Sequence, residues 1–271
     1  MEYLFLIVIY NRSLKDSQSI CSLIKSISTL EGSTFIIWDN SLEPQAKSQL
    51  DWLSSELKKN NFIYKHTPEN KSLSEIYNSF LTLAPQKKDF IILLDHDTSF
   101  DLHLFTAHRE ALNDCTITNL YLPIVKFKNK IVSPGKQVFF KSLPYKNLHP
   151  GLMPSRHNTA INSGMIIRWS YFTETFKGYD KRLKFYGTDD YFMMQYRKTN
   201  KSFYLLDYTI EHDLTCDPEA DDIYKFRSSF QEAQKSFLIL HSNGRTLSMA
   251  GLVVFIRRLK HTIKFKINFF S

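Results

Sequence analysis

Four short apolar runs in the first hundred residues, separated by segments with helical periodicity, constrain the fold of this chain more than any other feature. Strands that are apolar on both faces are typical of parallel sheets covered by helices on both sides. Apolar residues that repeat every three or four positions indicate helices with one buried face. We therefore predict an α/β fold with a mostly parallel central sheet flanked by helices. The predicted strands run from Tyr3 to Tyr10, Thr34 to Trp38, Asn61 to Lys65 and Phe90 to Leu94.

Capping signals place two of the helices between these strands. Apolar residues recur at helical spacing from Ile20 to Leu30, with Asp16 or Ser17 in position to cap that helix. Ser72 and Glu75 stand three residues apart, which is the spacing of a capping box, ahead of a second apolar helical pattern.

The second half of the chain is organised differently. Five of the nine prolines lie between residues 123 and 154, and they favour irregular loops or edge strands there. A helix is predicted from about Asp189 to Lys198, after the turn residue Gly187. The sequence contains no internal repeat and no low-complexity segment.

Two carboxylates close the fourth apolar run, in the sequence Asp95-His96-Asp97. Because the strand is buried, both acids are expected at its end, at the edge of the sheet, where charged groups near the core require a neutralising partner. Carboxylate oxygens are the ligands that divalent cations prefer, so the pattern predicts a metal and phosphate site, although such acids also occur in turns as helix caps. Asn11 and Asp39 also follow strands and are expected at the same edge. His96 is expected to face the opposite side of the extended segment.

The net charge of +8 is concentrated at the C-terminal end. Residues 245–271 contain six basic residues and no acid, which leaves 29 basic and 27 acidic residues in the body. A basic groove is therefore not indicated, and we expect no nucleic-acid partner. Apolar and basic residues of the tail occupy different arcs of a helical wheel, which predicts an amphipathic helix. Such a helix binds an anionic membrane surface, or it packs on the body with its basic face in solvent.

Composition excludes several other classes of protein. The three cysteines are widely separated and fit neither a zinc site nor an even disulfide framework, so a reducing compartment is the simpler interpretation. The apolar runs Tyr3 to Tyr10 and Ala250 to Ile256 are shorter than the roughly 20 residues that span a bilayer. The first residues lack the basic region of a signal peptide. We expect a cytoplasmic protein, with the tail able to attach it to the inner face of the cell membrane.

The order of the polar motifs resembles that of family 2 glycosyltransferases, and most of all their bacterial rhamnosyltransferase-like branch. The resemblance covers roughly residues 3 to 215, and it rests on the whole series because each motif alone is weak. The motifs are Ile7-Val8-Ile9-Tyr10-Asn11, Asp39-Asn40-Ser41, Pro68-Glu69-Asn70 with Asn78, Asp95-His96-Asp97-Thr98, Ser163-Gly164, and Gly187-Thr188-Asp189-Asp190 with Arg197-Lys198.

This resemblance implies a GT-A fold, which is Rossmann-like, and inverting transfer of a sugar from a nucleotide-diphosphate donor. It places Asp39 at the nucleobase, Asp95 at the ribose or the metal, and Asp97 at a Mg²⁺ or Mn²⁺ ion bridging the diphosphate. Such a metal stabilises the leaving nucleoside diphosphate as a Lewis acid. His212 is implied as a further metal or diphosphate contact, with a structural histidine as the alternative.

Four further residues are implied in nucleotide-sugar binding. Ile9 and Asn11 end the first strand motif, and Asn70 and Asn78 belong to the third. Asn70 and Asn78 could instead only shape a loop. The Asp39 motif has a similar alternative, because Asp-Asn-Ser also forms an Asx turn without a ligand.

On the acceptor side, the resemblance implies a carboxylate that takes the proton from the attacking hydroxyl. The position of Arg197-Lys198 assigns this catalytic role to Asp189, with the adjacent Asp190 as the alternative. The family usually has Glu-Asp where this chain has Thr188-Asp189, which leaves the assignment ambiguous by one residue. Both acids could also serve only as the cap and first-turn acid of the helix.

We therefore predict a metal-dependent glycosyltransferase, hexosyl or deoxyhexosyl, that uses a saccharide or lipid-linked acceptor in cell-surface polysaccharide or lipopolysaccharide assembly. Residues 1–240 form the predicted catalytic domain, with a nucleotide-sugar half at 1–100 and an acceptor half at 101–240. Residues 241–271 form the basic amphipathic tail. The alternatives are a nucleotidyltransferase of similar fold and a non-catalytic glycan- or membrane-binding descendant of that fold. The first lacks support because the few glycines form no phosphate loop.

Overall fold

The first half of the chain forms the alternating strands and helices that the sequence predicts. A computed structural model describes residues 1–57, 60–114, 118–211, 223–242 and 246–270. The elements of the first half are β1 (Tyr3–Ile9), α1 (Gln18–Ser26), β2 (Thr34–Asp39), α2 (Lys47–Leu57), β3 (Asn61–His66), α3 (Leu73–Ser79), β4 (Phe90–Asp95) and α4 (Leu102–Asp114).

The second half contains more and shorter strands, as its prolines indicate. Two long helices follow the last strand. The elements are β5 (Leu120–Phe127), β6 (Lys130–Ser133), β7 (Gly135–Val138), β8 (Lys141–Pro144), β9 (Gly151–Pro154), β10 (Asn158–Thr159), β11 (Met165–Arg168), α5 (Thr188–Thr199), β12 (Ser202–Glu211), α6 (Ile223–Leu240) and α7 (Thr246–Phe265).

Most of the described strands join one mixed sheet. Its order is β3-β2-β1-β4-β11-β5-β12-β9, with β6 paired to β5. β1 runs parallel to β2 and β4, and β2 runs parallel to β3. β11 enters antiparallel between β4 and β5, while β12 runs parallel to β5. A separate three-stranded sheet has the order β10-β7-β8.

The central strands are buried on both faces, which explains their unbroken apolar sequences. Tyr3, Phe5 and Ile7 of β1 belong to one core cluster, on the side of α1, α2 and α4. Leu4 and Leu6 belong to a second cluster, on the side of α3 and α5. The predicted mostly parallel sheet flanked by helices is therefore confirmed.

Local signals in the sequence also match the structure. Ser17 caps α1 by accepting a hydrogen bond from the Ile20 backbone N–H. The capping box before α3 is complete, since Ser72 Oγ accepts from Glu75 N at 3.3 Å and Ser72 N donates to Glu75 Oε2 at 3.2 Å. In the part of the chain that the structure describes, no helix has the length and apolarity needed to cross a membrane.

Replacing Ser72 by alanine is expected to lower the free energy of unfolding by about 1 kcal/mol, because the side chain satisfies an otherwise unpaired backbone N–H at the helix start. Urea unfolding followed by circular dichroism measures this change. Ser54→Ala, at an exposed position within α2, is the matched control and is expected to change stability by less than about 0.5 kcal/mol. An equal loss in both variants would contradict the capping role.

Candidate active site

The Asp95-His96-Asp97 turn is held in place by the start of α1. Ser17 Oγ donates to the carbonyl oxygen of His96 at 2.9 Å. Ser19 Oγ donates to the carbonyl oxygens of Asp95 and of Thr98. The alternation expected for His96 does not apply, because β4 ends at Asp95 and a turn follows. All three residues of the motif line the same cavity.

This cavity, called here the strand-end cavity, has a volume of about 590 Å³ and lies beyond the carboxyl ends of β1, β2 and β4. Its volume is in the range of small-molecule and cofactor sites. The walls combine acids, bases and aromatic rings. The lining residues are Val8, Tyr10, Asn40, Asn70, Leu73, Asp95, His96, Asp97, Lys184, Phe185, Tyr186, Ser228, Ser229, Gln231, Glu232 and Lys235.

The donor set of the strand-end cavity fits a hard divalent cation. Asp95 and Asp97 are half-buried and bring carboxylate oxygens to one wall. Asp95 Oδ2 also accepts a hydrogen bond from Ser163 Oγ at 2.8 Å, which fixes its orientation. Within the described residues, no cluster of three or more His, Cys, Asp or Glu side chains could hold a metal. Two carboxylates suffice for Mg²⁺, which in proteins completes its shell with water and substrate phosphate oxygens. His212 lies outside the described residues.

Asp39 is buried, and its carboxylate accepts hydrogen bonds from three neighbouring residues. Its side chain is 0% exposed. Oδ2 accepts hydrogen bonds from Tyr64 Oη at 2.7 Å and from Gln45 Nε2 at 3.2 Å, and Oδ1 accepts from Ser41 N at 3.1 Å. Both oxygens of the carboxylate are therefore occupied by protein groups.

The neighbouring Asn40 does line the cavity, and its amide group joins two loops. Nδ2 donates to Asn70 Oδ1 and to the Lys71 carbonyl oxygen, both at 2.8 Å, while Oδ1 accepts from Thr67 Oγ1 at 2.8 Å. Asn70 has a φ of 49°, in the left-handed region that asparagine tolerates. Asn40 therefore positions Asn70 on the cavity wall.

Three other predicted nucleotide-binding residues are not among those that line the cavity. Ile9 is fully buried in the core cluster. Asn11 is exposed, and its backbone N–H donates to Ser41 Oγ at 2.8 Å. The Asn78 side chain forms two hydrogen bonds with the Tyr179 backbone. Nδ2 donates to the Tyr179 carbonyl oxygen at 2.9 Å, and Oδ1 accepts from the Tyr179 N–H at 2.7 Å.

A second cavity of about 340 Å³, called here the α5 cavity, contains Asp189 and Asp190. Both acids lie in the first turn of α5, which starts after Gly187. Gly187 has a φ of +80°, and a Cβ there would lie 3.2 Å from atoms of Ser236 and Leu240 on α6. Glycine therefore allows both the backbone conformation at the helix start and the close packing of α6.

The environment favours the protonated form of both carboxyl groups. Desolvation raises the pKa of Asp189 well above its ordinary value of 3.8, and the charges of Asp190 and Asp95 raise it further. Desolvation by the cavity walls also raises the pKa of Asp190, against the opposing effect of the Arg197 charge. Asp189 is half-buried and Asp190 is exposed, so water still reaches both groups through the cavity. A raised carboxyl pKa is typical of a group that exchanges protons.

The two cavities are neighbours. Tyr186 lines both of them, and the charge of Asp95 reaches Asp189. Beneath them lies the buried Tyr77, whose pKa is raised by desolvation and by the charges of both Asp95 and Asp189. Asn162 Nδ2 donates to Thr188 Oγ1 at 3.2 Å, which joins the turn before β11 to the start of α5.

Sequence reasoning did not predict the role of α6, which covers both cavities. Ser228 and Lys235 are among its residues in the strand-end cavity, and Gln234 and Phe237 are among those in the α5 cavity. The helical spacing of Phe226, Phe230 and Phe237 was available as a signal for this helix. Its position over the site could not be read from that spacing.

No family model matches the chain, and no curated protein sequence does so either. Solved structures do match. TarS 1–349 from S. aureus, in complexes with UDP and with UDP-GlcNAc, superimposes with a TM-score of 0.59 at 14% identity. The match covers 88% of this chain and 66–67% of that fragment.

Two further solved structures also superimpose on this chain. The mannosyltransferase PcManGT from Pyrobaculum calidifontis, in complex with GDP-Man and Mn²⁺, has a TM-score of 0.56 at 9% identity, covering 93% of this chain and 69% of that one. GalNAc-T7 with UDP, GalNAc and Mn²⁺ has a TM-score of 0.52 at 12% identity, covering 78% and 43%. The fold is that of the GT-A glycosyltransferases. The chain spans about two-thirds or less of the length of these neighbours.

Asp190→Asn is expected to lower the pKa of Asp189 towards 3.8, because it removes a neighbouring negative charge. A carbon-detected NMR titration of the Asp189 carboxyl measures the shift. Asp180→Asn is the control, since the Asp180 carboxylate is bonded to Arg182 and does not contribute to the pKa of Asp189. A wild-type value in the Asp190 variant would show that the two carboxyl groups do not interact.

Proposed function

We propose that this chain is a metal-dependent, inverting glycosyltransferase that takes a sugar from a nucleotide-diphosphate donor. One observation carries the proposal. A cavity with Asp95 and Asp97, the candidate metal ligands, adjoins a second cavity with Asp189, the candidate general base, and Tyr186 lines both. Transfer between two substrates requires such adjoining sites, one for the leaving group and one for the attacking hydroxyl.

The strand-end cavity is the proposed donor site. Asp97, supported by Asp95, would hold Mg²⁺ or Mn²⁺ against the diphosphate, and the bound ion would stabilise the departing charge as a Lewis acid. Lys184 and Lys235 line the same cavity and add positive charge for the phosphates. Asp39 and Asn40 lie at the end of β2, where the nucleoside is proposed to bind. Solved neighbours with UDP-GlcNAc, and with GDP-Man and Mn²⁺, support this class of donor.

The α5 cavity is the proposed acceptor site. Asp189 would take the proton from the acceptor hydroxyl as that oxygen attacks the anomeric carbon. Attack from the side opposite the leaving diphosphate inverts the configuration. The raised pKa of Asp189 matches this role, because a stronger base accepts the proton more readily. Asp190 is the alternative base, and it also raises the proton affinity of Asp189 through its charge.

The more specific assignments follow from the sequence motifs. We place the chain near family 2 glycosyltransferases and their rhamnosyltransferase-like branch, with a hexosyl or deoxyhexosyl donor. The acceptor is a saccharide or a lipid-linked saccharide of cell-surface polysaccharide or lipopolysaccharide assembly.

Helix α7 is the proposed attachment to an anionic membrane surface. One of its faces packs inward through Ala250 and Val254. Its opposite face is also apolar but exposed, with side chains such as Leu252 at 61%, Ile256 at 54% and Ile263 at 69%. An apolar helix face with flanking basic residues is typical of helices that lie in the membrane interface. The flanking basic residues are Arg258, Lys260 and Lys264. The protein would then act at the cytoplasmic face of the membrane.

Two substitutions separate the proposed roles in catalysis. Asp97→Ala is expected to abolish metal-dependent nucleotide binding, because it removes the proposed metal ligand. Asp189→Asn is expected to leave binding within about twofold and to lower transfer by about 10²-fold or more, as loss of a general base does. Calorimetry with UDP- and GDP-linked sugars in Mg²⁺ or Mn²⁺ measures binding, and release of the nucleoside diphosphate measures turnover.

The exposed Asp51→Asn on α2 serves as the control and is expected to behave like wild type. Normal transfer by both Asp97→Ala and Asp189→Asn would refute the mechanism.

In wild type, transfer is expected to fall as the pH drops through the raised pKa of Asp189, because the base must be ionised. If Asp190→Asn retains activity and moves this acid limb to lower pH, Asp189 is the base. If Asp190→Asn loses transfer while Asp189→Asn retains it, Asp190 is the base.

The double variant Ile256→Gln/Ile263→Gln is expected to release the protein from vesicles of phosphatidylglycerol, because the membrane would lose the apolar contact. Flotation with those vesicles measures binding. Leu42→Gln/Leu152→Gln, which alters two apolar residues exposed at 70% and 56% on the body, is the matched control. Unchanged flotation of the α7 variant would refute membrane attachment through this helix.

A further inference from the structure

The near-neutral charge of residues 1–244 is an average over two unlike parts of the sequence. Residues 115–173 contain eight lysines and arginines and no acidic residue. At the average acid content of the chain, about six acids would be expected in a segment of that length. The remainder of residues 1–244 contains 21 basic and 27 acidic residues. Residues 115–173, within the acceptor half, therefore have an excess of eight positive charges that the overall balance hides.

The structure gathers part of this charge in a third cavity, called here the basic cleft. Its volume is about 610 Å³, and none of the described residues that line it is acidic. Lys126, Lys130, Lys146 and His149 contribute the basic groups. None of these three lysines forms an ion pair with another described residue. Glu211 of β12 is paired with Lys126 across the strands, so Lys130 and Lys146 supply the excess positive charge of this concave wall, and that charge favours an anionic ligand.

The basic cleft and the α5 cavity lie at opposite ends of one exposed strand. Lys141 and Ser142 of β8 line the α5 cavity, and Pro144 at the other end of β8 lines the basic cleft. A strand of four residues spans about 10 Å, so a ligand of two or three sugar units can reach both. All four residues of β8 are exposed, and β8 forms the edge of the small sheet. The path between the two cavities is therefore open to solvent.

The α5 cavity also contains positively charged groups, Arg197 and Arg257. Arg257 Nη2 donates to the Phe140 carbonyl oxygen at 2.8 Å, and its guanidinium lies 4.7 Å from the Phe237 ring centroid. Arg197 is fixed by Gln137 Oε1 at 2.6 Å and by the Asn158 carbonyl oxygen at 3.3 Å. These contacts hold two guanidinium groups in the wall of the cavity that Asp189 and Asp190 also line, and the charge of Arg197 acts on Asp190. Positive groups around the proposed base suit an acceptor that is itself negatively charged.

The chemistry of the basic cleft favours a glycan over the other polyanions. Asn129, Asn147 and Thr209 line it and supply amide and hydroxyl groups that hydrogen-bond to sugar hydroxyls. Tyr145 and His149 are the aromatic residues among the described residues that line it, and the Tyr145 hydroxyl donates to Asn158 Oδ1 at 2.7 Å, so these residues do not form the series of aromatic rings on which nucleic-acid bases stack. A concave cleft also does not match the plane of a bilayer.

We infer that the acceptor is an anionic glycan, whose phosphate or carboxylate groups bind in the basic cleft while its attacking hydroxyl lies in the α5 cavity. This inference rests on the proposed transferase function and adds the chemical class of the acceptor. Lys130 and Lys146 bind the anionic groups. They are exposed and lie outside the proposed catalytic groups, so their replacement leaves the fold and the donor site intact.

Binding of defined oligosaccharides tests the inference directly. The probes are a phosphodiester-linked glycan, a uronic acid glycan and a neutral dextran, all of similar length. Lys130→Gln/Lys146→Gln is expected to weaken binding of at least one anionic probe by about tenfold, because two ionic contacts are lost, with no change for dextran. The wild-type affinity for that probe is expected to fall as salt is added. Lys25→Gln/Lys47→Gln, two exposed lysines of the other half, is the matched control and is expected to match wild type.

Three outcomes overturn the inference. The first is equal affinity of wild type for dextran and for the anionic glycans. The second is an equal loss of glycan binding in Lys25→Gln/Lys47→Gln. The third is a Lys130→Gln/Lys146→Gln variant that binds all glycans like wild type and loses only flotation with phosphatidylglycerol vesicles. Metal-dependent hydrolysis of nucleotide sugars by wild type is measured in parallel. If hydrolysis occurs but neutral and anionic glycans serve equally well as acceptors, only the acceptor class is wrong. If hydrolysis of all donors is absent while anion binding is lost in the lysine variant, the transferase proposal fails and the cleft remains an anion-binding site.

Discussion

The burial of the central strands on both faces is the constraint on which the rest of the structure depends. Because β1, β2 and β4 are apolar along their length, their polar residues are confined to the strand ends. Parallel pairing brings these ends to one edge of the sheet. Asp95 is half-buried there, and its carboxylate is oriented by Ser163 from the turn before β11. The geometry of the core thereby fixes where charge can be placed.

The two halves of the chain supply different chemistry to the site. The parallel half contributes the carboxylate pair and the amide-rich loops around Asn40. The second half contributes Asp189 on α5 and the basic surface formed by β5 to β8. Helix α6 covers both cavities. Desolvation raises the pKa of Asp189, and the charges of Asp190 and Asp95 raise it further.

Much of the architecture could be predicted from the sequence, because its signals are local. Ser72 and Glu75 specify a capping box within four residues, and apolar runs specify buried strands by their composition alone. The hydrogen-bond partners of single polar residues could not be predicted. Asp39 and Asn78 belong to motifs for which nucleotide contacts are predicted, and in the structure their side chains also bond Tyr64, Gln45 and the Tyr179 backbone. A motif does not show which partners lie within hydrogen-bond distance.

The sequence by itself determined the α/β class, the order of strands and helices in the first half, and the position of Asp95 and Asp97 at the end of a buried strand. It also determined the lack of acids between residues 115 and 173. Only the tertiary structure decided that α6 covers the site, that Asp189 is near Asp95, and that Lys126 and Lys146 line one cleft. These relations join residues far apart in the chain, and they depend on how helices and strands pack, which no local pattern of residues specifies.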